Sequence, residues 1–145
     1  MIPPELHILH IEDSDLDAEL VRFTLENGGI PCEIRWVDNF PAFVEELETN
    51  RYDLILADFS LPDCDGYKTL AVVREKAPQT PFVLVTGAIG EELAIDSIKA
   101  GVTDYVLKSN LVRLKTAVPR AIEEARARLG KTPGPGRSAT ERRAF

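Results

Sequence analysis

The chain has 145 residues, 44% of them apolar, and a formal charge of −7. A chain of about 150 residues buries roughly 68–70% of the surface it exposes when unfolded, so one domain with a substantial core is expected. Past residue 129, Lys131, Arg137, Arg142 and Arg143 stand against Glu141, a local +3 that leaves −10 on residues 1–129, and so acidic a body argues against nucleic acid or an anionic membrane as its main partner.

The longest wholly apolar runs are only a few residues, and the start MIPPELHILH has neither a cationic region nor a long apolar one. Neither a spanning helix nor a signal peptide is expected. Cys32 and Cys64 lie far apart and outside any C-x-x-C pair, which reads as two reduced thiols in a cytoplasmic protein.

In chain order, five short apolar runs read as strands: Leu6 to Ile11, Cys32 to Val37, Asp53 to Ala57, Phe82 to Thr86 and Tyr105 to Leu107. Between them, helical spacing links Leu16, Leu20 and Phe23, then Phe40, Phe43, Val44 and Leu47, then Leu70 and Val73, then Leu93, Ala94 and Ile98. Ser14 with Asp17 three residues on makes a capping box of the Asp type, Asn39 ahead of Pro41 marks a second start, and Gly28-Gly29 and Gly101 mark ends. A last helix is expected from about Leu111 to Leu129, with a kink or restart at Pro119 at about 3 kcal/mol unless packing absorbs it. The domain is therefore taken as residues 1–129. Residues 130–145, with Gly and Pro every few positions, read as a flexible tail or linker.

Strand and helix alternate five times, and runs such as DLILA and FVLV are apolar at successive positions, so both faces of the sheet must be covered. Right-handed crossovers then give an α/β fold with a doubly wound parallel sheet in three layers, whose ligands sit beyond the carboxyl ends of the strands.

Those ends carry Glu12 and Asp13, Asp58, Thr86 and Lys108. Each alone is an ordinary loop or strand-end residue; together at one rim they are a site. Two carboxylates about 4 Å apart repel by roughly 4 kcal/mol at an effective dielectric of 20, so three clustered acids cost on the order of 10 kcal/mol if all are ionised. A cation or raised pKa values must relieve this. Mg2+ suits it, as a hard ion with oxygen ligands that leaves positions open for phosphate oxygens. Zinc is not suggested, because His7 and His10, three residues apart in a strand, point to opposite faces. Asp58, held at the rim by DLILA, is placed as a nucleophile towards phosphorus, with Lys108 and the Thr86 hydroxyl to bind the other phosphoryl oxygens.

The acidic pair in HIEDSD, the aspartate in DLILADFSLPDCDG, the VTG after the fourth strand and the DYVLK closing the fifth resemble, in this order and spacing, the receiver domains of bacterial response regulators over residues 6 to 128. The resemblance implies a flavodoxin-like, five-stranded sheet of order 2-1-3-4-5. It implies Asp58 as phosphoacceptor from the phosphohistidine of a sensor histidine kinase or a histidine phosphotransfer protein. It implies Mg2+ held by Asp13, Asp58 and the Ser60 carbonyl, with Glu12 acting through water. Thr86 and Lys108 match the phosphoryl-binding pair, and Tyr105 the aromatic switch that turns inward with Thr86; the added charge biases a two-state element. The face of the fourth helix, fifth strand and fifth helix would be the output surface. Such a domain is not an enzyme beyond its own phosphotransfer and dephosphorylation.

The chain departs from the family at Ser109, where a proline in a cis bond is common. A cis bond without proline costs about 3–4 kcal/mol, which leaves that loop's geometry open. Ser60 and Ala88, both small, flank the water path in the family and permit moderately fast self-dephosphorylation. Trp36 and Phe82 read as core. Asp63 and Asp65 read as shaping the turn before the third helix, with Gly66 at its start. As a D-x-D pair they would suit a Toprim-like metal-dependent phosphotransferase, which leaves Asp58 and Lys108 unexplained. A flavodoxin-like cofactor binder shares the fold, but the first loop EDSDLDAE would repel an anion. KSNL after the fifth strand and the tail ERRAF are similar to receivers inside hybrid histidine kinases, which is preferred slightly over a solitary receiver.

Overall fold

A computed structural model describes residues 5–87 and 91–130. The elements run β1 (Leu6–Ile11), α1 (Asp15–Asn27), β2 (Cys32–Val37), α2 (Phe40–Thr49), β3 (Leu54–Ala57), β4 (Ser60–Leu61), β5 (Cys64–Asp65), α3 (Gly66–Lys76), β6 (Phe82–Thr86), α4 (Glu91–Ala100), β7 (Asp104–Leu107) and α5 (Leu114–Gly130), with a 3₁₀ segment over Lys108–Arg113. β4 and β5 pair as a small antiparallel hairpin that the sequence reading did not foresee. The main sheet is parallel in the order β2-β1-β3-β6-β7, which is the expected 2-1-3-4-5 once the hairpin is set aside.

Every residue of β3 and of β6 is buried, as strands covered on both faces must be. Alternation sorts their side chains into two cores. Ile8, Leu54, Leu56, Val83, Val85 and Val106 meet Val21, Leu25, Val118 and Ile122 of α1 and α5. Leu9, Ile11, Ile55, Ala57, Phe82 and Leu84 meet Phe43, Leu47, Leu70 and Val73 of α2 and α3. Each large side chain so buried contributes about 1.5–3 kcal/mol, which makes the sheet a rigid platform for whatever its ends carry.

Local signals set the boundaries. The Ser14 and Asn39 side chains accept the amides of Asp17 and Ala42 at 3.2 and 2.9 Å, capping α1 and α2. After α1 the chain turns at Gly29 with φ +72°, a conformation that side chains with a Cβ disfavour. A Cβ on Gly66 would lie 2.6 Å from the Phe59 ring, so only glycine lets α3 start against the loop that follows β3.

Four expectations fail here. The buried stripe of α1 is Ala18, Val21 and Leu25; the expected Leu16, Leu20 and Phe23 face solvent, Leu16 and Phe23 at 66% and 63% exposure. The helix is apolar on two sides, and spacing alone does not say which the sheet takes. Trp36 is 39% exposed rather than core, because β2 is an edge strand with only part of one face covered. In α4, Ser97 is buried where Ile98 was expected, and Ile98 is exposed; the Ala94 side chain lies outside those described. The last helix starts at Leu114 and runs through Pro119, while the break falls earlier, at Asn110 with φ −142° and ψ 54°. Val118, Ala121 and Ile122, buried around the proline, supply the packing that absorbs its missing amide. The described peptide bonds are trans, Lys108–Ser109 included. Cys32 and Cys64 are free thiols. Among the described residues no helix is long and apolar enough to cross a membrane. Residues 1–4 and 131–145, and so most of the expected tail, lie outside the description.

Candidate functional site

The backbone ladder carries the rim residues one position past the strands. The Glu12 amide donates to the Val37 carbonyl at 3.0 Å and the Asp58 amide to the Ile11 carbonyl at 3.1 Å. Thr86 registers with Leu107, the residue before Lys108. Glu12, Asp13, Asp58, Thr86 and Lys108 therefore stand at one edge, contributed by four strands. Glu12, Asp58 and Thr86 are buried, Lys108 is half-buried, and Asp13 and Ser60 are exposed.

The Lys108 ammonium joins the cluster. Its Nζ lies 3.0 Å from Asp58 Oδ2, 2.9 Å from Glu12 Oε1 and 2.7 Å from Asp17 Oδ2. Burial works against its charge, but the hydrogen bonds accepted by Asp17 and Asp58 and the close Glu12 carboxylate outweigh it and raise its pKa. The Glu12 pKa is raised as well, which for a carboxyl group favours the neutral form: burial first, with the Asp58 charge adding to it, lifts it to about 7 against the pull of Lys108 and of the Ser14 amide. That amide donates to Glu12 Oε2 at 3.1 Å, replacing the half of the capping box that Asp17 was expected to supply. Asp17 is the member that the sequence reading missed. Its signal was the same Ser14-x-x-Asp17 spacing, read as a cap alone.

Glu12, Asp13 and Asp58 each offer one carboxylate oxygen, all within 4.8 Å of one another, and could hold a metal ion. The donor chemistry fits a hard divalent cation. One observation strengthens the fit: Glu12 Oε1, fully buried, touches the ammonium as an ion pair yet accepts no aligned hydrogen bond. Ser60 folds back over the nucleophile candidate, its amide 3.4 Å from Asp58 Oδ1. The Trp36 indole donates to the Glu12 carbonyl at 2.7 Å, tying the edge strand to the site.

Other residues fall as follows. Tyr105 is half-buried against the α2–α3 core; Arg113 donates to its carbonyl and lies 2.8 Å from Asp104 Oδ1. Asp65 caps α3 through the Lys68 amide at 2.9 Å, and Asp63 accepts the Phe40 amide at 3.0 Å, so the D-x-D pair shapes its turn rather than joining the metal cluster. His7 is exposed, 3.2 Å from Glu33, and His10 is buried on the opposite face, as expected. Burial, then the Lys108 charge, lower the His10 pKa to about 3 despite Asp17. Ala88 lies outside the described residues. A concavity of about 220 Å³ lined by Thr103, Asp104, Arg113 and Arg120 opens on the β7–α5 side, away from the rim acids.

The response regulator receiver domain family matches residues 8–119. This chain belongs to that family. The receiver domain is 34% identical over 116 residues to the regulatory protein LuxO of Vibrio cholerae and 31% identical over 115 residues to the response regulator protein PilR of Pseudomonas aeruginosa. Each match covers 79% of this chain and 25% of the relative, so the chain spans about a quarter of their length. Among solved structures, the signal receiver domain of a LuxO repressor protein from Vibrio parahaemolyticus superposes with a TM-score of 0.79 at 26% identity, over 90% of this chain and 100% of that one.

Proposed function

We propose that this receiver domain takes a phosphoryl group onto Asp58 from a phosphohistidine of a sensor histidine kinase or histidine phosphotransfer protein, and that the modification switches the face formed by α4, β7 and α5. The observation that carries the reading is the Asp58 carboxylate at the sheet rim, 3.0 Å from Lys108 and within metal-sharing distance of Glu12 and Asp13.

A phosphoryl group moves when an Asp58 oxygen bonds to phosphorus as the P–N bond breaks, its electron pair staying on the donor imidazole nitrogen. The rigid strand β3 supplies position and Lys108 supplies charge for a phosphoryl oxygen, which is most of what this chemistry needs. Thr86, buried at the end of β6, would bring its hydroxyl to another. Mg2+, held by Asp13, Asp58 and the Ser60 carbonyl with Glu12 through water, would neutralise the acids and the incoming oxygens. The phosphoryl group, with a charge of about −1.5 to −2 where the carboxylate alone stood, then biases Thr86 and Tyr105 towards a second arrangement. The exposed stripe Leu16, Leu20 and Phe23 starts beside the rim and offers a partner carrying the phosphohistidine an apolar surface. With no membrane-crossing helix among the described residues, the cytoplasm is the proposed compartment.

Acetyl phosphate with Mg2+ tests the reading by intact mass. The wild-type chain is expected to gain one phosphoryl group, lost on removal of Mg2+, and Asp58→Asn to gain none. The same gain in the Asp58→Asn chain would overturn the assignment.

A further inference from the structure

Asp17 belongs neither to the motif residues nor to the three carboxylates that can share a metal ion. Its position is nevertheless determined. The Ser14 cap holds its amide at 3.2 Å, in the first turn of α1, and its Oδ2 reaches Lys108 Nζ at 2.7 Å across 91 residues of chain, the shortest of the three contacts that the ammonium makes. A lysine has three N–H donors. Two of them go to Asp17 and Asp58, and Glu12 Oε1 lies 2.9 Å away as an ion pair without an aligned hydrogen bond, so three carboxylates surround the ammonium in the unmodified domain.

Phosphorylation asks the ammonium to turn to a phosphoryl oxygen, a move opposed by the two carboxylates that hold it by hydrogen bonds, Asp17 and Asp58. Glu12 and Asp58 are tied to the rim through their own strands, and Asp17 also places a full negative charge beside the incoming group. We propose that Asp17 is a positioning residue that retains Lys108 in the unmodified arrangement and thereby sets how readily the phosphorylated arrangement is populated. The inference rests on the receiver reading of Asp58.

Its test uses beryllofluoride as the phosphoryl analogue and Mg2+ alone as the control ligand, each titrated by calorimetry and by the fluorescence of Trp36, the single tryptophan and a partner of the Glu12 carbonyl. Asp17→Asn is expected to bind beryllofluoride roughly five- to tenfold more tightly at saturating Mg2+, since one charge-assisted bond competes no longer. Its Mg2+ affinity should be unchanged or weaker, and Asp17→Glu should return beryllofluoride affinity towards wild type. Asp17→Ser makes the same charge loss should the amide variant not fold. A merely structural residue would weaken both ligands together. Equal or weaker beryllofluoride binding in the folded neutral variants, with normal binding by the wild type, overturns the role of Asp17. A wild-type chain that ignores beryllofluoride overturns the receiver reading, and this inference with it.

Discussion

Lys108 and Arg22 are both cations flanked by carboxylates, and they show two different ways for a chain to pair charges. Arg22 meets Glu19 and Glu26, one turn to either side on α1, with all three side chains about half exposed or more. Helical geometry brings such partners together in any context, and water competes for each bond. Lys108 meets Glu12, Asp17 and Asp58 only because β1, β3 and β7 end and α1 begins at one rim, and two of its partners are buried. Paired charges in that setting cost desolvation and give little net stability, so their concentration there points to chemistry rather than to folding.

The comparison can be broken most severely at Lys108. Lys108→Met is expected to lower the unfolding free energy of the metal-free domain by about 3 kcal/mol, because it leaves Glu12 and Asp58 without their cation. Urea denaturation in chelator measures it. A loss below about 1 kcal/mol, the scale of an exposed pair, would erase the distinction.

A smaller effect is expected at His10, buried behind the same rim with neither ring nitrogen hydrogen-bonded. His10→Leu should raise stability at neutral pH by about 1–2 kcal/mol by removing an unsatisfied polar group. The acid limb is sharper evidence. The unfolded imidazole takes up a proton below its ordinary value of 6.5, whereas the folded one stays neutral down to about 3. The unfolded state thus binds more protons in that window, and stability falls as pH drops through it. His10→Leu should flatten this part of the pH–stability profile; an unaltered slope would mean that other groups set it.

The least effect belongs to Arg22. Arg22→Ala is expected to leave the urea midpoint nearly that of the wild type, and closer still at high salt. A loss as large as that of Lys108→Met would place this exposed network in the same class as the rim.

Much of the fold was legible because its signals are local or periodic. Strand limits agree within one residue, since successive apolar residues such as Leu54–Ala57 can only sit in a sheet covered on both sides. Caps at Ser14 and Asn39 were readable because a side chain and an amide three residues on make the bond. Of the site, Glu12, Asp13, Asp58, Thr86 and Lys108 announced themselves by standing where apolar runs end.

What local pattern could not decide was orientation. α1 carries two apolar stripes, and only docking on the sheet chose Ala18, Val21 and Leu25 over Leu16, Leu20 and Phe23. Trp36 looked like core although the expected order already put its strand at the edge, where the packed structure leaves it partly exposed. Asp17 looked like half of a cap until α1, turned by that same docking, aimed its carboxylate at Lys108. The sequence by itself thus determined the elements, their alternation and the residue types at the strand ends, because these depend on neighbours within a few positions. Which helix face is buried and which carboxylates share one ammonium were decided only by tertiary structure, because both depend on how elements far apart in the chain are rotated against one another.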